Sequence, residues 1–348
     1  MERRAILDTP DFSYDPATRP FFAARRPYRE DTYRLEPDQT LVAGKLVVHN
    51  YGHGGAGITM SWGCALRVRE IVSQHDTSHG VAVIGAGVMG MTVATLLREM
   101  NPPVAVTIYT EKVTPRTTSD VAGGQFQPSR VNYDKSSATA EQAFFKILRD
   151  ARKEHERRST PYGVSKRWNY TPVMLENLDN LPKDIVPAAT PLSHLPFARL
   201  TKPGWKYDLL LIQPPILMPR LFNDLNNGGA KFVIGKLKPG DLAQLPQPII
   251  VNCTGLGARE LVPDPKMRAL QGQIVHLRAQ PNLNYLFSGD GYVFPRDDCV
   301  VVGGTEDWID DDTVNDAKCI KIVKDAKDLF DGKWFRFLTR SRWLISGK

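Results

Sequence analysis

Short apolar runs alternate with longer stretches of helical periodicity in the first third of the chain, a pattern typical of strands that alternate with helices. The apolar run at 45–51 precedes a helical pattern at 58–72, and the run at 81–84 precedes one at about 88–100. A further apolar run at 104–109 follows the second helical pattern. The spacing predicts two consecutive strand–helix units, of which the second is extended to a βαβ unit.

The rest of the chain has a less regular pattern. We predict further helices and strands at 141–158, 231–234, 248–252, 273–277, 299–302 and 316–330. Residues 129–225 are hard to assign, because a proline-rich stretch covers 182–215. The later strands have an antiparallel pattern, so the sequence predicts an α/β nucleotide-binding domain that is interleaved with a sheet-rich substrate domain.

The bulk composition is that of an ordinary globular protein, with 348 residues of which 42% are hydrophobic and 24% charged. No apolar stretch approaches the roughly 20 residues needed to span a bilayer, so we expect no membrane partner. Arg3 and Arg4 resemble the start of a twin-arginine export signal. Because Asp8-Thr9-Pro10 interrupts it before a hydrophobic core develops, we expect no export and a cytoplasmic protein.

The charge and the cysteines exclude further classes of function. The net charge of +7 is spread along the chain without the concentrated basic stripe that nucleic-acid binding requires, although it would suit an anionic ligand. The four cysteines, which form no CxxC pair, are Cys64, Cys253, Cys299 and Cys319. We therefore expect reduced, partly buried thiols and neither a metal site nor a disulfide framework.

The glycine loop after the apolar run at 81–84 has the spacing GxGxxG. Gly85 permits a tight turn, Gly87 lets a pyrophosphate approach the backbone, and Gly90 allows the helix to pack closely on the strand. Glu111, at the tip of the next strand, is placed to bond ribose hydroxyls. Together with the strand before and the helix after it, this loop predicts nucleotide binding.

A second glycine loop, at 52–57, lies between the run at 45–51 and the helical pattern at 58–72. It matches no general fingerprint. Its glycines either cradle a ligand at a helix N-terminus or only close the helix onto the sheet, and the residues alone leave both interpretations open.

Residues 47–65, which include this loop, resemble the signature segment of the D-amino-acid oxidase family, to which D-aspartate oxidase also belongs. The segments 109–128, 251–258 and 291–305 resemble other parts of that family. The resemblance covers most of residues 20–330 and is weakest over 129–225. It implies a Rossmann-like FAD-binding domain interleaved with a mostly antiparallel α+β substrate domain.

The order of the segments differs from the family. There the signature segment closes the chain and GxGxxG opens it, whereas here residues of about 20–75 come first, so the chain resembles a circular permutant. The polar linker 73–80 then joins the old ends, which is physically reasonable because chain ends often lie close together. A misassembled gene is the alternative explanation.

The resemblance also divides the chain into domains. Residues 1–40 would complete the substrate domain, 41–130 would form the core of the FAD-binding domain, and 131–225 would belong mainly to the substrate domain. Residues 226–262 would return to the FAD-binding domain, and 263–348 to the substrate domain.

FAD is the cofactor that the resemblance implies. One side of FAD would contact the glycine loop within the signature segment. The other side would contact the GxGxxG loop and turns that come later in the chain. The implied cofactor residues are Gly54, Gly55, Gly57, Ile58, Thr59, Gly85, Gly87, Val88, Met89, Gly90, Glu111, Lys112, Thr117, Thr118, Gly123, Gly124, Gln125, Gln127, Leu237, Cys253, Thr254 and Gly255.

The implied reaction is oxidative deamination of a D-amino acid, by hydride transfer from its α-carbon to the flavin. The imino acid hydrolyses to a 2-oxo acid and ammonia, and oxygen is reduced to hydrogen peroxide. Arg26 matches the arginine that grips the substrate carboxylate, and Tyr292 a tyrosine that bonds the same group. Ser288 stands where the family has a second tyrosine, which leaves the substrate range open. His49 and His53 are expected to be structural.

Two other functions fit the same resemblance. One is a flavin-dependent amino-acid dehydrogenase of this fold that uses an acceptor other than oxygen, and the other is a flavin-binding homologue without turnover. The expected partners are a D-amino acid and oxygen, with no nucleic acid, and a homodimer stays open. The chain ends in Ser346-Gly347-Lys348, which lacks the family's peroxisomal signal.

Overall fold

A computed structural model describes residues 6–333 of the chain. The strands are β1 (Phe21–Arg29), β2 (Arg34–Asp38), β3 (Leu46–Tyr51), β4 (Val81–Ile84), β5 (Val106–Thr110), β6 (Val164–Thr171), β7 (Thr190–Leu192), β8 (Gly204–Ile212), β9 (Lys231–Ile234), β10 (Ile249–Asn252), β11 (Met267–Arg278), β12 (Leu286–Ser288), β13 (Tyr292–Pro295) and β14 (Cys299–Gly303). The helices are α1 (Gly57–Val72), α2 (Val88–Arg98), α3 (Ala138–Arg158), α4 (Glu176–Asp179), α5 (Pro214–Asn227), α6 (Asp241–Gln244), α7 (Ala258–Leu261) and α8 (Asp316–Phe330).

A six-stranded sheet has the order β2-β3-β10-β4-β5-β9, and all its neighbours are parallel except β2 and β3. The strands β3, β10 and β4 in the middle of this sheet are buried along their whole length and are mainly apolar, because both of their faces are covered. On β4, Val81 and Val83 belong to one hydrophobic cluster, whereas Ala82 and Ile84 belong to another. This burial explains the short apolar runs that the sequence shows at these strands.

An eight-stranded sheet has the order β1-β11-β14-β13-β12-β6-β8-β7. Its neighbours are antiparallel except β12 and β6, which are parallel. The prediction of a mixed α/β fold, with one mainly parallel and one mainly antiparallel sheet, is confirmed. The segment 1–40 contributes to both sheets, since β1 pairs with β11 and β2 pairs with β3.

Most of the elements predicted from the pattern are present. The strand 81–84 and the helix 316–330 have the predicted bounds, and α1 begins one residue before the predicted helix. The strand predicted at 104–109 begins two residues later, because the Val104 N–H bonds the Leu97 carbonyl at the end of α2. The strand predicted at 273–277 is only part of β11.

The stretch 182–215, read from the sequence only as proline-rich, contains β7 and β8 and leads into α5. The prolines were misleading because Pro214 lies in the first turn of α5, where a missing N–H costs nothing. Pro219 lies inside the same helix. The unassigned region 129–225 thus supplies three strands to the eight-stranded sheet.

The segment before β1 packs against the last described helix. The rings of Phe12 and Phe330 have centroids 5.7 Å apart, and the Tyr285 hydroxyl donates to the Asp8 carbonyl at 2.7 Å. At the other junction, the short linker 73–80 leads from α1 directly into β4. Among the helices of residues 6–333, none has both the length and the apolar character to cross a membrane.

Candidate active site

A cleft of about 2730 Å³ is lined by residues of both sheets and by both glycine loops. This volume exceeds the roughly 300–1,000 Å³ of a pocket that holds one drug-sized ligand. The cleft is therefore large enough for an extended cofactor together with a small substrate.

The loop between β3 and α1 lines this cleft. Gly54 has a φ of +55°, and a Cβ atom there would overlap the carbonyl oxygen of Arg130. A Cβ at Gly55 would lie 2.6 Å from the Ser129 hydroxyl. Only glycine fits this close approach, and it leaves Gly57 and Ile58, at the start of α1, facing the cleft.

The GxGxxG loop forms a second wall between β4 and α2. Gly85 has a φ of +104°, and a Cβ there would lie 2.6 Å from the Cys253 carbonyl. Gly87 precedes α2 and lines the cleft, while the first N–H of α2, on Val88, donates to the Ser119 hydroxyl at 3.0 Å. The loop thus presents backbone to the cleft at the positive end of a helix.

Most of the residues implied as cofactor contacts line the same cleft. Those that line it are Gly54, Gly55, Gly57, Ile58, Gly85, Gly87, Val88, Met89, Glu111, Lys112, Thr117, Thr118, Gly123, Gly124, Gln125, Gln127, Leu237, Cys253, Thr254 and Gly255. The fold brings these residues together from seven separate stretches of the chain.

Two of the implied cofactor residues do not line the cleft. Gly90 faces β4, since a Cβ there would overlap the Gly85 carbonyl oxygen, so its role is close packing of α2 on the sheet. Thr59 is buried, and its hydroxyl accepts from the Gln127 N–H at 3.0 Å. Thr59 therefore fixes the position of Gln127 instead of touching a ligand.

Arg26 and Tyr292, implied as substrate contacts, lie at the same end of the cleft. The Arg26 guanidinium rests over Gly272 and donates to the Thr305 carbonyl at 3.2 Å. The Tyr292 ring packs over Gly303. Burial raises the pKa of Tyr292, although the nearby Arg26 guanidinium opposes the shift. The hydroxyl therefore keeps its proton and is a hydrogen-bond donor beside a fixed cation.

Further residues at the cleft were not singled out from the sequence. Tyr28 lies two residues after Arg26 on β1, so the alternation of a strand places both side chains on one face. Its hydroxyl accepts a bond from Asn132, and its ring lies 5.0 Å from that of Trp308. That alternation was the signal from which Tyr28 could have been identified.

The two histidines of the signature segment are buried and bonded within the protein. Burial lowers the pKa of His53 to about 3, and its Nε2 lies 3.4 Å from the Cys64 sulfur. Burial also lowers the pKa of His49, which lies 3.4 Å from Asp38. Both rings are neutral at physiological pH, in agreement with the structural role expected for them. The four cysteines are free and buried.

Comparison with known proteins places these features in a family. Residues 80–344 match the family of FAD-dependent oxidoreductases. The D-amino acid oxidase of Dugesia ryukyuensis is 31% identical over 271 residues, which are 72% of this chain and 78% of that protein. The D-amino-acid oxidase of Streptomyces coelicolor is 32% identical over 232 residues, 65% of this chain and 69% of that protein. The crystal structure of glycine oxidase from Geobacillus kaustophilus is similar in fold, with a TM-score of 0.51, 17% identity and coverage of 72% of this chain and 77% of that one.

Proposed function

Because the chain belongs to the family of FAD-dependent oxidoreductases, we propose that it oxidises D-amino acids to 2-oxo acids and ammonia and passes the electrons to oxygen. The observation that carries the proposal is the pair of Arg26 and Tyr292 at one end of a cleft that both glycine loops line. Relatives named D-amino acid oxidase, about 30% identical to this chain, support the same reaction.

The residues around the cleft fit FAD. Gly85, with its left-handed φ, and Gly87 leave backbone open to a pyrophosphate at the start of α2. Glu111 follows β5 at the place where a carboxylate bonds ribose hydroxyls. On this proposal Gly54 to Ile58 would contact the ring system, whose reduced form carries negative charge that the start of α1 stabilises.

The substrate is held by its carboxylate. The planar fork of Arg26 can donate two parallel hydrogen bonds to a carboxylate, and the Tyr292 hydroxyl can donate a third. When bound, FAD supplies the acceptor for the hydride that leaves the substrate α-carbon. The chain's own contribution is to orient that carbon. It needs no base to remove the α-hydrogen, because that hydrogen leaves with its electron pair as a hydride, while the amino group gives up its proton to water.

Anaerobic mixing of the flavin-loaded protein with D- and L-amino acids tests the proposal. We expect the visible absorption of oxidised flavin to bleach with D-amino acids only, and peroxide to form when air is admitted. Bleaching without peroxide would instead identify a dehydrogenase. Bound flavin that no amino acid bleaches would identify a binding protein without turnover.

Arg26→Ala gives the matching test of the site. The variant should keep its flavin absorption and lose bleaching at ordinary substrate concentrations. Arg278→Ala is the control, since Arg278 is an exposed arginine at the end of β11, away from the cleft. Undiminished bleaching by Arg26→Ala would contradict the role given to Arg26.

We also propose that the order of the segments is a natural circular permutation. Support comes from β3, which pairs with β10 in the six-stranded sheet and leads into α1. It also comes from the contact between Phe12 and Phe330, which brings the two ends of the described chain together at the place where an unpermuted chain would be continuous. Trypsin would release one peptide, Glu70–Arg98, that spans the linker 73–80. Mass spectrometry of the protein from its natural source should detect that peptide, whereas a misassembled gene predicts its absence.

A further inference from the structure

Polar side chains continue across the eight-stranded sheet beyond Tyr292. Ser288 on β12 is the direct partner of Tyr292 on β13, and directly opposed residues of an antiparallel pair present their side chains on the same face. Neighbouring strands are about 4.8 Å apart, so Ser288 lies one strand away from the carboxylate-binding hydroxyl. Ser288 therefore lies next to Tyr292 on the face of the sheet that lines the cleft.

Ser288 belongs to a buried polar cluster with Gln125 and Asn169. The Ser288 hydroxyl donates to the Asn169 side-chain oxygen at 2.9 Å, and the Gln125 amide donates to the same oxygen at 3.0 Å. Gln125 is 8% exposed, Ser288 7% and Asn169 0%. Gln125 and Ser288 line the cleft, and Asn169 holds both of them from behind.

The cluster has unused hydrogen-bonding capacity. The Asn169 side-chain nitrogen is buried and has no partner. That nitrogen lies behind the cleft with the rest of Asn169, so the capacity that faces a ligand is the side-chain oxygen of Gln125, to which no group of residues 6–333 donates. A buried polar group without a partner costs about 1–3 kcal/mol, which a ligand that donates to Gln125 would avoid. Within residues 6–333, the three side chains bond one another and no charged group.

We propose that Gln125 and Ser288 form the subsite for the substrate side chain and select D-amino acids with an uncharged polar side chain, an amide or a hydroxyl. This inference rests on the proposed function. An apolar side chain would bury the cluster without satisfying it. A carboxylate would lose its hydration without meeting a cation there. Asn169 is a positioning residue, because it acts through the two side chains that face the cleft.

Binding without turnover tests the subsite directly. The carboxylates 3-carbamoylpropanoate, 4-methylpentanoate and succinate have the carbon frameworks of asparagine, leucine and aspartate without the amino group. Their dissociation constants follow from the change that each causes in the flavin absorption spectrum. We expect the amide to bind about tenfold more tightly than the other two, the effect of one or two net hydrogen bonds.

Turnover should show the same preference. We expect kcat/KM for D-asparagine to exceed that for D-leucine by about tenfold, a difference of about 1.4 kcal/mol. D-Threonine and D-valine, which have nearly equal shapes, form a second pair in which the hydroxyl should be preferred.

Variants assign the preference to the cluster. Gln125→Met keeps the length of the side chain and removes its amide, and Ser288→Ala removes the hydroxyl with little change of volume. Each variant should bring the affinities for 3-carbamoylpropanoate and 4-methylpentanoate closer together. Each should likewise bring kcat/KM for D-asparagine closer to that for D-leucine. Gln247→Met is the matched control, because Gln247 is also 8% exposed, does not itself line the cleft, and bonds Thr107 and Tyr109 on β5.

The outcomes separate this inference from the proposed function. Oxidation of D-leucine as efficient as that of D-asparagine, or equal binding of the amide and its apolar analogue, would overturn the subsite and leave the oxidase standing. A protein that bleaches with no D-amino acid but binds the amide tenfold better would overturn the oxidase and support the subsite. Ratios that stay unchanged in both Gln125→Met and Ser288→Ala would refute the assignment to these residues.

Discussion

The guanidinium of Arg26 on β1 lies over Gly272 on β11, where a Cβ atom would come within 3.0 Å of both terminal nitrogens. Arg26, the proposed carboxylate-binding cation, thus occupies the space that a side chain at position 272 would fill. The Thr305 carbonyl also holds Arg26 in place, since it accepts a hydrogen bond from the guanidinium.

We expect Gly272→Ala to displace Arg26 and raise KM for D-amino acids by more than tenfold, since the bidentate geometry is lost. Flavin content and the flavin spectrum should be unchanged. Gly240→Ala is the control, because a Cβ at Gly240 would meet nothing within 4 Å. Steady-state kinetics measure the KM of both variants, and an unchanged KM in Gly272→Ala would show that the position of Arg26 does not depend on the space above Gly272.

Tyr292→Phe removes one hydroxyl and keeps the ring that packs on Gly303. A hydrogen bond to a charged group is worth about 1.5–3 kcal/mol, so the affinity for substrate should fall by about 10- to 100-fold. Tyr170→Phe, on β6 and outside the cleft, should have no such effect. The measurement is the KM for a D-amino acid together with the dissociation constant of a carboxylate inhibitor. Equal values in the wild type and Tyr292→Phe would remove the hydroxyl from substrate binding.

Two glycines of the GxGxxG loop should respond differently to alanine. At Gly87 a new Cβ would lie 3.4 Å from the Ser119 hydroxyl, so Gly87→Ala should leave the melting temperature of the apoprotein nearly unchanged. It should lower FAD affinity, because the added methyl group keeps a pyrophosphate away from the backbone. Gly90→Ala would force α2 away from the Gly85 carbonyl, so it should lower the melting temperature of the apoprotein as well. Calorimetry and flavin titration distinguish the two, and equal melting temperatures would show that α2 can adapt.

The buried carboxylate of Asp264 should make the free energy of unfolding depend on pH. Burial raises the pKa of Asp264, but hydrogen bonds from Arg29 and Tyr51, each at 2.8 Å, outweigh it and hold the pKa below its ordinary value. The folded state then binds fewer protons than the unfolded one, so this stabilisation is present above a pH of about 4 and is lost as the pH falls through the folded-state pKa.

The matching variant is Asp264→Asn. Breaking a buried pair costs about 3–5 kcal/mol, so we expect a large loss in the free energy of unfolding at pH 7 and a smaller one near the folded-state pKa. Asp31→Asn, which removes an exposed partner of Lys266, should cost much less at either pH. Urea denaturation at several pH values measures the difference, and a loss independent of pH would contradict the ion pair.

Strand–loop–helix units were predictable where one local pattern determined the structure. The strands β3, β4 and β10 are mainly apolar because both of their faces are buried, and glycines with positive φ mark the turns that follow. β6 and β8 gave a weaker signal, since buried and half-buried positions follow no regular order in either strand and β6 has exposed positions as well. Pro214, which belongs to the proline-rich stretch 182–215, lies in the first turn of α5.

The arrangement of the site was harder to predict than its composition. The role of Gly272 is not visible in the sequence, because it depends on Arg26, a side chain from a strand far away in the chain. The same holds for Asn169, whose partners come from β12 and from the turn after Gly124. Such contacts depend on strand register, which a single sequence does not specify.

The short connection between α1 and β4 also bears on how the protein folds. Both ligand-facing loops lie within one continuous stretch that ends at β5, and in it β4 pairs with β5 across α2 alone, whereas β3 is joined to β4 only through β10. Closing a short loop costs less chain entropy than closing a long one, and domains form first at the end that is synthesised first. We therefore expect β4, α2 and β5 to assemble early, with α1 packed on α2, and β3 to join the sheet only once β10 has been made.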